Sequence, residues 1–244
     1  MILVIDIGNT SIKLSVMDHL NVYKLIRSDV STFTNEILNL KQVYPDIKEV
    51  AYCNVGDFPY ELKEFLKVNF EVVFEINHQI KLPFNNRYES LTLGNDRIAL
   101  VAGGLFTEGN NTPLLVIDAG TCVTYDFIDS DKNYFGGAIS PGLQLRYQSL
   151  HNFTENLPLL KPQPTKNITG YNTETSIHSG VVLGMTLELK GAIKQYRKAH
   201  KDLKVLITGG DSELLVKQLK NRFFATPFLM LYGIYNLYLF NKNL

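Results

Sequence analysis

One pattern occurs twice in this chain. An apolar, β-branched run leads into Asp-x-Gly, then hydroxyl or amide residues, then a stretch of alternating polarity. The first copy is Met1-Ile-Leu-Val-Ile-Asp-Ile-Gly-Asn-Thr-Ser-Ile-Lys-Leu-Ser-Val-Met17. Residues 1–5 read as a buried strand and Asp6–Thr10 as a turn, while Ile12, Leu14 and Val16 alternate with polar residues as in a half-buried strand. The second copy is Leu114–Ile117, then Asp118-Ala-Gly-Thr121, then Val123, Tyr125 and Phe127 alternating with Thr124 and Asp126. A repeat at this spacing predicts two similar domains facing each other, against the competing reading of two hairpins alike by chance. Residues 1–112 and 113–244 are the expected domains, divided at the Gly109-Asn-Asn-Thr-Pro113 linker. The final helix is expected to pack back on the first domain.

Each hairpin tip has the chemistry of an anion and cation site. Gly8 lets a backbone N–H approach an anion, Thr10 and Ser11 add hydroxyl donors, and Asp6 can hold a divalent cation directly or through water. The bland alternative is a ligand-free Asx-type hairpin, since Gly-Asn is a common turn pair.

Between the hairpins, Val22–Ile26 reads as a strand and Thr32–Leu40 as a helix capped by Ser31. A strand at 49–53, a helix at 60–68 and a strand at 72–76 follow, which predicts a mixed sheet with helices on it. An irregular stretch, 77–95, leads into a helix from Asp96 to about Phe106 that is apolar nearly all round. Burial in a domain core, or against a twofold mate that its small residues Ala99, Ala102, Gly103 and Gly104 would admit, both fit. Beyond the second hairpin come a strand from Tyr134 and a helix after Pro141. Then comes the longest helix, from Thr175 to about His200, where Gly180, Gly184 and Gly191 are expected to let other backbone pack close. Strand 204–207 ends in a third glycine turn, Thr208-Gly-Gly-Asp-Ser212, whose glycines suit flat contact with a base or ribose. Helices at 213–219 and 227–240 complete the chain.

Composition removes several functions. Lys+Arg and Asp+Glu are equal at 24 each, so no basic face for nucleic acid or an anionic membrane is expected. Asp6 interrupts the N-terminal apolar run, against a signal peptide, and no stretch is long enough for a membrane span. The expectation is a cytoplasmic protein. Cys53 and Cys122 form no metal or disulfide pattern and read as buried, inert thiols. The five histidines form no ligand spacing, and no serine sits in a nucleophile elbow.

Six segments stand in one order: Asp6-Ile-Gly-Asn-Thr10, Leu93-Gly-Asn-Asp-Arg97, Asp118-Ala-Gly-Thr121, Gly136-Gly-Ala-Ile-Ser-Pro-Gly142, Gly170-Tyr-Asn-Thr173 and Thr208-Gly-Gly210. The paired hairpins resemble the sugar kinase, Hsp70 and actin superfamily, and the full series resembles type III pantothenate kinase. The resemblance implies an α/β fold of two ribonuclease-H-like domains, an actin-like ATPase duplication with mixed sheets flanked by helices. It also implies ATP-dependent phosphorylation of pantothenate, Mg2+, a monovalent cation (K+ or NH4+) and a homodimer.

Position by position, the resemblance puts ATP on Asp6, Ile7, Gly8, Asn9, Thr10, Ser11, Ile12, Lys13 and Thr121. The monovalent cation falls on Asp118. The substrate loop falls on Gly94, Asn95, Asp96 and Arg97, with Asp96 as proton acceptor, and a further substrate contact on Thr173. An aromatic contact falls on Tyr88, where this chain departs from the family. The spacing from Tyr88 to Gly94 is one residue shorter than usual and lacks the proline, which leaves Phe84 as an alternative.

The chemistry fits independently. A carboxylate beside a primary alcohol can take its proton, and a helix N-terminus favours its ionised form. A guanidinium such as Arg97 matches a substrate carboxylate in two-pronged geometry. Taken alone, Asp96 and Arg97 would read as a helix cap and a surface charge, and Asp118 as a turn residue. Thr173 would equally cap its helix. A non-catalytic, ATP-binding regulator or transcription accessory protein on the same scaffold is the competing class, as is a kinase of another small alcohol.

Overall fold

The computed structural model describes residues 1–90, 93–109, 111–220, 223 and 225–243. The chain divides into two compact units: Met1–Asn110 with Phe228–Leu244, and Asn111–Pro227.

The first unit runs β1 (Ile2–Ile7), β2 (Ile12–Asp18), β3 (Asn21–Ser28), α1 (Phe33–Val43), β4 (Glu49–Asn54), α2 (Tyr60–Asn69), β5 (Val72–Glu75), β6 (Asn85–Asn86) and α3 (Asn95–Glu108). Its sheet has the order β3-β2-β1-β4-β5. β1 is buried along its whole length because it lies in the middle, antiparallel to β2 and parallel to β4. One sheet face packs Leu3, Ile5 and Leu14 against Phe33 and Ile37 of α1 and Leu66 of α2. The other face carries α3 and the last helix of the chain, α8 (Leu229–Lys242).

The second unit runs β7 (Leu114–Ala119), β8 (Cys122–Ile128), β9 (Asn133–Pro141), α4 (Leu143–Asn152), α5 (Thr173–His178), a π-helical stretch (Ser179–Leu183), α6 (Gly184–Ala199), β10 (Lys204–Thr208) and α7 (Ser212–Gln218). Its strands repeat the first unit's order: β7 lies between antiparallel β8 and parallel β10, with β9 beyond β8. The repeated motif is therefore a repeated sheet. Its core packs Ile117, Tyr125 and Leu143 against Val182, Met185 and Leu189.

Several local expectations are corrected. Ser31 does not cap α1. Thr32 is the N-cap residue and caps by no side-chain bond, while the Asp29 carboxylate closes the preceding turn, accepting the backbone N–H groups of Ser31 and Thr32 at 2.8 and 3.0 Å. The expected long helix is not one regular helix, because the π-helical stretch separates α5 from α6. Gly180, Gly184 and Gly191 do not receive other backbone: a Cβ on any of them would meet nothing within 4 Å. Cys53 is buried, but Cys122 is exposed, because it starts β8 at a hairpin tip rather than inside the sheet. Among the described residues, no helix is long and apolar enough to cross a membrane. Asn110 of the linker and residues 91 and 92 of the Tyr88–Gly94 loop lie outside the described residues.

The apolar helix found its partner inside the chain. α3 packs along α8, and the small residues serve that crossing. A Cβ on Gly103 would lie 2.3 Å from the Leu229 carbonyl oxygen, and one on Gly233 would lie 1.8 Å from the Ala99 oxygen. α8 is pinned in turn by Glu49 of β4, whose carboxylate accepts from Lys242 Nζ at 2.6 Å and from the Tyr238 hydroxyl.

Candidate active site

The two hairpin aspartates occupy equivalent positions. Asp6 is the penultimate residue of β1, paired with Lys13 across β2 and with Cys53 across β4. Asp118 is the penultimate residue of β7, paired with Thr124 across β8 and Thr208 across β10. Both therefore end strands, not turns: the sheet ladder continues through them before the chain reverses.

In the first unit the tip is a tight turn, with the Gly8 N–H donating to the Ser11 carbonyl at 3.1 Å. Asn9 and Thr10 are exposed, whereas the side chains of Ile7 and Ile12 are buried. The side chain of Asp6 is 11% exposed and accepts from Lys13 Nζ at 2.8 Å. Gly56, just past β4, backs the tip so closely that a Cβ there would lie 2.7 Å from the Gly8 oxygen. Sequence reading missed this residue, and its only signal was a glycine at the end of a strand beside the motif.

The same sheet end holds the start of α3. Gly94 is the N-cap residue, so Asp96 does not cap the helix by side chain. Its Oδ1 instead accepts the Arg97 N–H at 2.8 Å. Arg97 is only 6% exposed, so it is not a surface charge. Its Cζ lies 5.5 Å from the centroid of the Tyr88 ring. Of the two aromatic candidates, Tyr88 is the one beside Arg97, while Phe84 is buried. Tyr88 also lines a cavity of about 210 Å3 with Asn77, His78, Ser90 and Ile98. Asn95 Oδ1 is buried without a hydrogen-bond partner among the described residues, an acceptor that a bound hydroxyl could satisfy.

Cys53 ties the two halves of this region together. Burial pushes its thiol far up, and the charges of Asp6, Asp96 and Glu75 push it further. Asp6 and Asp96 thus both act on one sulfur. Asp6 pairs with Cys53 in the sheet, and α3, whose second residue is Asp96, packs on β4.

In the second unit three turns stack on one another. The Asp211 N–H donates to the Ala119 oxygen at 2.9 Å, and the Gly142 N–H to the Thr121 oxygen at 3.0 Å. Gly209, at φ +94°, carries its missing side chain toward Asp118, where a Cβ would lie 2.4 Å from Oδ1. The expectation that both glycines of the third turn serve flat ligand contact is therefore corrected: Gly209 packs under Ala119, and only Gly210 faces open space. Thr121 is exposed at the tip. Thr173, also exposed, opens α5 but does not cap it, because Asn172 Oδ1 accepts the Thr175 N–H at 2.9 Å.

Among the described residues no three His, Cys, Asp or Glu side chains gather into a metal cage. That donor set suits Mg2+, which is held by one or two carboxylates with substrate phosphates and retained water. The exposed hydroxyls, glycine backbone and single carboxylate of each tip fit phosphate with its cation.

Comparisons with known proteins agree with this geometry. Residues 2–195 match the family model for type III pantothenate kinase. A type III pantothenate kinase from Christiangramia forsetii is 42% identical, over 99% of each chain. One from Flavobacterium psychrophilum is 40% identical over 99% of this chain and 100% of the relative. Among solved structures, a Campylobacter jejuni protein described as a Baf family transcriptional activator superposes with a TM-score of 0.66 at 24% identity, covering 99% of this chain and all of that one. A glucokinase of the ROK family from Streptomyces griseus gives 0.55 at 11% identity over 99% of each chain. Those two likenesses carry the fold alone. The chain belongs to the type III pantothenate kinase family.

Proposed function

We propose that this chain transfers the γ-phosphoryl group of ATP to the primary alcohol of pantothenate, giving 4'-phosphopantothenate and ADP, the first step of coenzyme A biosynthesis. The family membership carries the reaction. The observation that supports the residue roles is that Asp6 pairs with Cys53 of β4 and that α3, which carries Asp96, packs on the same strand.

Asp96 is the general base. It takes the hydroxyl proton as the alcohol oxygen bonds to phosphorus and the bond to the ADP oxygen breaks. Arg97 binds the substrate carboxylate, with Tyr88 against its guanidinium plane. Asn95 Oδ1 accepts from a substrate hydroxyl, and the Gly94 backbone gives the substrate room. Asp6, Gly8, Asn9, Thr10, Ser11 and Lys13 are phosphate contacts in this reading, as is Thr121. Asp6 is the residue that would hold Mg2+ and Asp118 the one that would hold a monovalent cation. Such cations offset the negative charge gathered during transfer. The enzyme works in the cytoplasm.

The homodimer also belongs to this reading, though not through α3, which α8 covers. A groove of about 480 Å3 runs beside α5 and α6, where Ile168 is 72% and Leu187 52% exposed and Gly180 and Gly184 leave open space. A second copy seated there would bring part of the substrate pocket near the subunit interface, and Thr173, by the family resemblance, is a substrate contact in this reading.

The test is ADP release by the wild type with and without pantothenate, in potassium or sodium, and by Asp96→Asn. Pantothenate-dependent release is expected. Asparagine should cost about 10²–10⁴ in turnover while ATP still binds. An Asp96→Asn enzyme within about threefold of wild type, far short of that general-base range, removes Asp96 as the base.

A further inference from the structure

Thr121 is an exposed residue at the tip of a hairpin, yet a phosphate contact must be held to a fraction of an ångström. Its own turn supplies little support: the Gly120 N–H donates to the Cys122 oxygen at 3.0 Å. More comes from the β7–β8 ladder, which runs to Ala119 and Val123, from Asp211, whose N–H bonds the Ala119 oxygen, and from Gly142. Its N–H bonds Thr121, and a Cβ on it would lie 2.1 Å from the Gly120 oxygen and 2.5 Å from the Thr121 oxygen. The position of the tip is therefore coupled to that of the β9–α4 corner.

One side chain straps that corner to α6. Arg146, in the first turn of α4, donates from Nε to the Pro141 oxygen at 2.8 Å and from Nη2 to Ser140 Oγ at 3.0 Å. The same Nη2 meets Glu188 Oε2 of α6 at 2.5 Å. Glu188 is aimed in turn by Tyr125 of β8, whose hydroxyl donates to Oε1 at 2.9 Å. Burial alone would raise the Glu188 carboxyl, but the bonds from Arg146, Ser140 and Tyr125 outweigh it and hold it below its ordinary value. The carboxylate is thus charged wherever the enzyme works, and it fixes the guanidinium plane.

We propose that Arg146 is a positioning residue for ATP. Its two-nitrogen grip on Ser140 and Pro141, oriented by Glu188, sets Gly142 and through it the Thr121 tip. None of these groups touches the reacting atoms, so the effect falls on nucleotide binding and not on the chemical step. A lysine keeps the ion pair with Glu188 but is a single point donor and cannot reproduce the fork.

This rests on the kinase reading, and the experiment separates the two. Binding of a non-hydrolysable ATP analogue is measured by calorimetry for wild type, Arg146→Ala and Arg146→Lys, with steady-state kinetics and melting temperature alongside. Both variants should bind the analogue about tenfold more weakly, the size expected for one charge-assisted hydrogen bond. KM for ATP should rise with it, while kcat at saturating ATP and KM for pantothenate stay near wild type. Arg146→Lys should also melt near wild type. Arg146→Lys binding as tightly as wild type overturns the inference, because charge alone would then suffice. Loss of kcat and of both KM values in step with stability overturns it too, as a merely structural role. A wild type that binds no nucleotide overturns the kinase reading along with it, whereas variants that match a binding wild type overturn this inference alone.

Discussion

Gly233→Ala should damage catalysis from the far side of the catalytic helix. The added methyl would start 1.8 Å from the Ala99 oxygen and 2.5 Å from its carbonyl carbon. Ordinary contact begins at 3.4 Å, so α3 and α8 must separate by 3.4 − 1.8 = 1.6 Å at this point. The obstacle is backbone on both sides, so no rotamer change relieves it. Ala99 lies three residues beyond Asp96, roughly 4.5 Å along the helix axis, so the shift carries along α3 to Asp96, the proposed base. A misplacement of about 1 Å can cost about a hundredfold in rate, and a kcat loss of that order is expected here. Overpacking should cost about 1–3 kcal/mol, which for a chain of this size is a fall of roughly 2–12 °C in melting temperature. KM for ATP should change little, since the hairpin of β1 and β2 is held by its own ladder. The matched control is Gly191→Ala, where a Cβ meets nothing; it should keep full activity and melt slightly higher. The assay is coupled ADP release at saturating substrates, with melting by circular dichroism. A folded Gly233→Ala enzyme with kcat within about threefold of wild type, against the hundredfold expected, would refute the claim that α8 sets the position of Asp96.

Other outcomes follow from the same structure. Asp118→Ala should abolish the response of the rate to potassium along with most activity; a variant that still responds as wild type does puts the cation elsewhere. Gly180→Arg should give a monomer by light scattering without unfolding the chain, because that position faces open space; a dimer of unchanged size would remove the α5–α6 face as the subunit contact. Acid should weaken the fold through Glu49 and Glu188. Burial would raise each, but their hydrogen bonds hold both below the ordinary 4.5, so the stability they contribute is present above 4.5 and is lost as pH falls through the lower folded values. Melting temperature should fall between neutral and strongly acid pH, and less steeply for Glu49→Gln; equal slopes would count against that carboxylate.

The residues proposed to bear the chemistry stand out in the sequence because their patterns are local. Asp6 and Asp118 follow buried apolar strands, and strand, turn and alternating strand are short-range patterns with side-chain periods that can be counted. Even the equivalence of the two sheets was visible as a repeated string. Asp96 and Arg97 needed the whole order of motifs, because Asp-Arg at a helix start is common chemistry in any protein.

What the sequence could not settle was what covers each face. The apolar pattern of α3 required burial on several sides but fitted a second subunit as well as the chain's own last helix. Only the tertiary structure assigned it to α8, through the Gly103–Gly233 crossing, in which residues far apart in the chain meet backbone to backbone. The same limit explains Gly180 and Gly184, expected to receive backbone and found facing open space. It also explains Cys122, whose burial depended on where a hairpin ended. Gly142 stood in a motif that gave it no role, Gly56 was only a glycine after a strand, and Arg146 carried no pattern, since their roles are distances to other segments. Periodicity records which side of an element avoids water, because that preference is a property of each side chain; the identity of the neighbour is a property of the fold, and three-dimensional packing alone decides it.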